Sequence, residues 1–243
     1  MLKLSPFAAL ALMFSLFTGT LAAQSVTIKG ITEPYLDVTL GLADAGIIST
    51  QFFKEGDTIQ KGTVILELDK RLEALEVERR TAVMDQNKKV FESTRTLLEH
   101  TKAVSKEEMS KAEAEYNVST AEYGIALQQL ENRQLLAPFT GCITEVLLKP
   151  GAACAPYQSL VRLVDTSRCY FTGHIEGVAA PQLKLDEVVQ IEMDGGQTVE
   201  AKICFISPTV DAASGLVKVK AIFENADRTI RPGLAAKLVA PNK

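Results

Sequence analysis

The sequence predicts a mainly β chain interrupted by one long α-helical hairpin. A small β module is split into two halves around the hairpin, and a small antiparallel β-barrel follows. Three observations carry this. Two similar segments open at Gly46 and Gly141; each places a glycine ten positions on (Gly56, Gly151) and closes an apolar run on an aspartate (Asp69, Asp165). Between them, from Lys70 to Arg133, there is no proline and one glycine, Gly124, among Ala, Glu, Lys, Leu, Arg and Gln, all good helix formers. From Arg168 onward, short alternating runs separated by glycine turns replace the helical pattern.

The chain opens on a targeting pattern. Lys3 supplies a positive start, Phe7 to Leu16 an apolar core, and Leu21-Ala22-Ala23 a small-residue cleavage site. An uncleaved anchor is the competing reading, but Phe7 to Ala23 contains Ser15, Thr18, Gly19 and Thr20 and is short for a span of about 20 residues. With no cysteine near the site, lipid attachment is not expected. The domains expected are therefore a signal peptide over 1–23, N-terminal strand and first half-module over 24–69, helical hairpin over 70–134, second half-module over 135–166, and β-barrel over 167–243.

Each half-module reads as short strands joined by tight turns, where Gly56 and Gly151 permit backbone angles that other residues resist. Val26 to Thr39 adds a strand to one β unit or the other. In the second half of the insertion, Met109, Ala112, Tyr116, Ser119, Tyr123, Ala126 and Leu130 recur at steps of three and four, the coiled-coil spacing. The first half is less regular, with Leu72, Leu75, Val83, Val90, Leu97 and Leu98 mixed with Arg79 and Gln86. Ser105-Lys106-Glu107-Glu108 is a capping box, so one helix ends near His100 to Lys102 and an antiparallel one starts at Ser105. Two polar arms of about 30 residues, some 45 Å long at the helical rise, must project from so small a domain.

In the C-terminal third the expected strands are Tyr170 to Ile175, Val188 to Met193, Val199 to Ile206, Val217 to Phe223 and Ala235 to Val239. Gly195-Gly196 and Arg231-Pro232-Gly233 mark turns, and Val178 to Leu183 a short helix or turn. Five or six such strands suggest a small barrel.

Composition excludes several functions. A net charge of −4 and the absence of tryptophan argue against a nucleic-acid footprint. His100 and His174 stand without a catalytic motif, and no nucleotide-binding glycine loop is present, so no catalytic residue is expected. No metal site is expected either, since Cys142, Cys154, Cys169 and Cys204 lack zinc-ligand spacing. A Cys142–Cys154 disulfide around the Lys149-Pro150-Gly151 turn is one reading; free thiols serving as small apolar residues is the other.

In this order, the parts resemble the periplasmic adaptor family, the membrane fusion proteins of tripartite efflux pumps. The resemblance runs over nearly all of the chain after the leader. Its most specific pieces are Gly46-Ile47-Ile48 with Glu55 to Gly62, then Leu135-Leu136-Ala137-Pro138-Phe139-Thr140-Gly141, and Arg231-Pro232-Gly233-Leu234. The resemblance implies that the split module is biotinyl/lipoyl-like. It also implies a non-catalytic adaptor, bound to an inner-membrane transporter of the proton-driven resistance–nodulation–division (RND) class and to an outer-membrane channel, with copies arranged in a ring. An adaptor for an ATP-driven exporter is the alternative. Because the last barrel strand runs almost to Lys243, a short form without a membrane-proximal domain is expected, its exporter contact reduced or supplied by another adaptor. Adaptors that meet the channel tip-to-tip often carry an Arg, a Leu four residues on and a Ser seven further. Leu98 and Ser105 fit that spacing, Thr94 holds the Arg position and Arg95 lies one place late. Leu98, Lys102 and Ser105 are therefore the expected channel contacts.

A rival of another class is a lipoyl or biotinyl carrier with its cofactor on Lys70 of Asp69-Lys70. Such a lysine crowns a tight turn between half-modules. Here a long helical insertion follows instead, so no cofactor is expected.

Overall fold

The computed structural model describes residues 26–240; the expected leader at 1–23 lies outside the described residues. In chain order the elements are β1 (Val26–Leu40), β2 (Gly46–Gln51), β3 (Thr58–Ile59), β4 (Val64–Leu68), α1 (Arg71–His100), α2 (Lys106–Glu131), β5 (Gln134–Leu136), β6 (Gly141–Val146) and β7 (Ala153–Cys154). Then come β8 (Val161–Glu176), a 3₁₀ turn (Ala180–Gln182), β9 (Val188–Met193), β10 (Thr198–Ile206), β11 (Leu216–Glu224) and β12 (Ala235–Ala240).

The split module has an internal pseudo-two-fold, visible as a shift of 95 residues from Gly46 to Gly141. β2 pairs with β7 through Gly46↔Cys154 and Ile47↔Ala153, and β6 pairs with β3 through Gly141↔Ile59 and Cys142↔Thr58. The turns are exchanged in the same way. The Gly56 amide donates to the Ile143 carbonyl and the Gly151 amide to that of Ile48, each at 2.8 Å. Both glycines sit at φ +91°, the left-handed region that favours glycine. Equivalent side chains fill one core: Ile48 with Ile143, Ile65 with Leu160, Leu66 with Val161, and Leu68 with Leu163 are all buried.

This symmetry corrects the disulfide reading, because Cys142 and Cys154 are free thiols on strands of different sheets. They occupy the places that Ile47 and Ile59 hold in the first half, and Cys154 packs in the module core. The apolar role wins. Cys169 is buried in the barrel core, where desolvation pushes its thiol up to about 11, while Cys204 is exposed. Denatured but unreduced protein is expected to take up four alkyl groups, and folded protein to react first at Cys204; a mass showing fewer than four would restore a bridge.

Six strands in the order β1-β12-β9-β10-β11-β8 close on themselves through β1–β8 pairing to form the barrel. The expected strands are present, with two extensions. Tyr170 to Ile175 is the C-terminal part of the 16-residue β8, and Val26 to Thr39 becomes the 15-residue β1. These two strands run unbroken from barrel to module, with a register shift between Pro34 and Leu36 where one unit gives way to the other. The boundary expected at 166/167 thus passes through the middle of a strand. On the module side, Arg162 and Asp37 make a two-pronged ion pair at 2.8 and 2.5 Å. Arg168 lies 3.7 Å over the Tyr35 ring, which stacks on Tyr170. Barrel and module are spliced rather than tethered.

Candidate functional site: the hairpin tip and its anchors

β1 runs from the barrel at Val26 to the far end of the module at Leu40, and the chain then reaches Ala45, whose carbonyl accepts from Arg133 Nη1 at 2.8 Å. Arg133 follows α2 at the hairpin base. The hairpin therefore leaves the module at the end opposite the barrel.

Arg133 is the hairpin's main anchor. Besides Ala45 it pairs with Glu73 of α1 at 2.6 Å, both side chains largely shielded from solvent, and its backbone carbonyl accepts from Leu68. Lys70 Nζ binds Glu67 at 2.7 Å, and Gln134 Nε2 reaches the same carboxylate oxygen at 2.7 Å. Lys70 occupies the position just before α1, its side chain turned to Glu67, and does not crown a β-turn.

Between the helices, the α2 seam is the one the spacing predicts. Ala112, Ser119 and Ala126 are buried, with Met109, Tyr116, Tyr123 and Leu130 half-buried between them. Phe91 stacks on Tyr116 at 5.9 Å. The α1 seam differs from the expected one. Glu73, Val77, Arg80, Met84, Asn87, Phe91, Thr94 and Leu98 face α2, whereas Leu72, Leu75, Val83, Val90 and Leu97 are exposed. Every second position of this inner row is polar, so apolar residues do not mark it. Arg80 instead ties the helices together by pairing with Glu122 while also binding Glu76. Hydrogen bonds from Arg79 and Arg80 hold the Glu76 carboxyl down to about 2.

At the tip, α1 ends at His100 with Thr101 as its cap, and Lys102 adopts φ +50°. A left-handed residue just past a helix end is usually glycine, because a Cβ is disfavoured there. The capping box at Ser105 is complete: its hydroxyl accepts from the Glu108 amide at 3.0 Å and its amide donates to the Glu108 carboxylate at 2.8 Å. Lys102 and Ser105 are exposed, and Leu98 is half-buried one turn below. All three expected residues thus gather at the distal end. Replacing Lys102 with glycine should stabilise the hairpin by about 0.5–1 kcal/mol, the gain from removing the left-handed cost less the extra freedom of the unfolded chain. Thermal melting followed by helical circular dichroism checks this, and a lower midpoint would mean that the Lys102 side chain packs.

At the other extreme, the free barrel end carries Val178 and Val210, both exposed, with Gly177 pressed beneath Val210. Beside it is an open cleft of about 570 Å³ whose lining includes Val26, Lys29, His174 and Gln182. Spacing alone does not bring these residues together, because they come from β1, β8 and the loops after β8 and β10.

Residues 166–239 match the family model of the β-barrel domain of RND membrane fusion proteins. The match covers the closed barrel. Solved structures share the fold of this chain over 90% of its length. A MacA–MexA chimera bearing the α-hairpin domain of Pseudomonas aeruginosa MexA superposes with a TM-score of 0.78 at 20% identity, covering 82% of that chain. A putative efflux transporter from Bacteroides eggerthii gives 0.71 at 24% identity over 69% of that chain. An uncharacterised protein of Haemophilus influenzae is 27% identical over 204 residues, 83% of this chain and 53% of its own. The chain spans about half the length of that curated relative. Among the described residues, no helix is long and apolar enough to cross a membrane.

Proposed function

We propose that this chain is the periplasmic adaptor of a tripartite export pump. Its barrel faces an inner-membrane transporter and its hairpin tip meets an outer-membrane channel. The observation that carries this reading is the polarity of the molecule: a barrel of the RND membrane-fusion type at one end of the module, and a capped, exposed helical tip about 45 Å beyond the other. Residues 1–23 direct export and are removed. Its work is mechanical. It aligns and seals its partners, and the transporter supplies the energy and the substrate choice. The RND match of the barrel favours a proton-driven transporter.

The tip residues provide the test. Lys102→Glu and Ser105→Asp, each as the sole adaptor in the cell, should raise drug susceptibility to that of an adaptor-null strain while leaving export and folding of the chain intact, since Lys102 is exposed and an aspartate still caps α2. Unchanged susceptibility with both variants would count against tip docking.

A further inference from the structure

Toward its free end the barrel wall parts between β1 and β8. Their ladder has its last rung at Gly30↔Gly173, yet β1 begins at Val26 and β8 runs on to Glu176. Each strand keeps its other neighbour over that stretch: Val26 pairs with Ala240 of β12, and Glu176 with Leu216 of β11. Val26 to Lys29 and His174 to Glu176 therefore border an open seam, the cleft of about 570 Å³ at this end.

Alternation along the strands decides which backbone groups look into the seam. The Thr32 amide donates to the Leu234 carbonyl on the β12 side, so even-numbered residues of β1 turn their backbone to β12, and Thr27 and Lys29 turn theirs to the seam. The Gly177 amide donates to the Gly215 carbonyl beside β11, so on β8 it is His174 and Glu176 that turn to the seam. Two strand edges bordering one gap are a template for a further strand. The buried Ile28 and Ile175 line its inner side, with Ala179 and Leu216.

The outer side is charged in two rungs. At the first, Lys29 stands opposite Lys237 of β12, and His174 opposite Lys218 of β11, all four exposed. Like charges set directly opposite each other across strands destabilise a sheet. No carboxylate stands at this rung beside the seam. Glu192 is in register with Lys237 on its far side, and Asp211, though near His174, is held by the Ala213 and Ser214 amides of its own turn. Two residues further out, the second rung carries Thr27 and the acidic Glu176.

We infer that the seam takes up one more strand, an extended segment of the transporter. Its side chains follow from the two rungs: a carboxylate between Lys29 and His174, a basic group between Thr27 and Glu176, and an apolar residue between them turned to Ile28 and Ile175. This rests on the reading that the barrel faces a transporter, and adds how the two are joined.

In the full exported chain, a photoreactive side chain in place of Gln182, exposed on the cleft wall, is expected to capture one linear stretch of the transporter outside its membrane spans. The same group in place of Glu200, on β10 in the opposite wall, is expected to capture none of it. Thr27→Pro removes an amide from the seam and none from the β1–β12 ladder, so the fold stands while capture falls about fivefold, the worth of one hydrogen bond. Thr27→Val keeps the amide and should leave capture unchanged, whereas Lys29→Glu should lower it. Thermal melts followed by circular dichroism confirm that each variant is folded. Equal capture with and without Thr27→Pro would overturn the inference, as would capture of some other protein at position 182. So would a silent position 182 in cells where Lys102→Cys captures the channel, and the adaptor reading would then survive alone. Silence at both positions would overturn both.

Discussion

Replacing Arg133 with methionine is expected to destabilise the protein by about 2–3 kcal/mol, because it strands Glu73 in a shielded site and strips the Ala45 carbonyl of its donor. For a chain of this size that corresponds to a midpoint roughly 4–12 °C lower. The effect should be local at first: the hairpin base loosens while barrel strands keep their hydrogen-exchange protection. Glu73→Gln combined with Arg133→Met should recover part of the loss, since the stranded charge is then gone. An unchanged midpoint for Arg133→Met would mean that the base is held by the backbone alone. For an adaptor the consequence is functional, because Arg133 fixes the direction in which a long arm leaves its module.

The second large effect is in the barrel. Phe171→Ala is expected to cost about 3–5 kcal/mol, the range for deleting a buried aromatic ring. Phe171 is fully buried and is the largest such side chain in the barrel core. Its ring lies over Gly30 and Gly173, which face each other across β1 and β8. A Cβ on Gly30 would lie 2.6 Å from the ring and run into the Thr172 carbonyl, and one on Gly173 would lie 2.8 Å from the ring. Gly30→Ala should therefore also destabilise strongly, whereas Phe171→Leu should cost less than Phe171→Ala. Denaturant melts of the three variants check the order; a Phe171→Ala loss below 1 kcal/mol would show that the site collapses around the missing ring.

The legibility of this fold in its sequence follows physical lines. The split module is readable because each half must turn at the same place, and the glycines at 56 and 151 mark those turns at equal φ. The α2 seam is readable because Ala112, Ser119 and Ala126 alternate with larger residues that pack on α1. The α1 seam is hidden by chemistry. Arg80 and Asn87 face the partner helix while Val83 and Val90 face away, so an apolar search selects the wrong face. The two-residue strands β3 and β7 escape periodicity altogether; they exist because their partners β6 and β2 hold them. The splice of module to barrel through β1 and β8 is likewise a tertiary fact, since no turn residue marks where one unit ends. At the tip, the capping box gives Ser105 in advance, but the left-handed Lys102 has no signature in a sequence that offers no glycine there.

The adaptor reading is tested most directly at Lys102. A cysteine placed there in the exported chain, armed with a short heterobifunctional reagent in intact cells, reports what the tip meets. One dominant adduct is expected, identified by mass as an outer-membrane channel. A folded, exported chain that captures no envelope protein from Lys102 would contradict it.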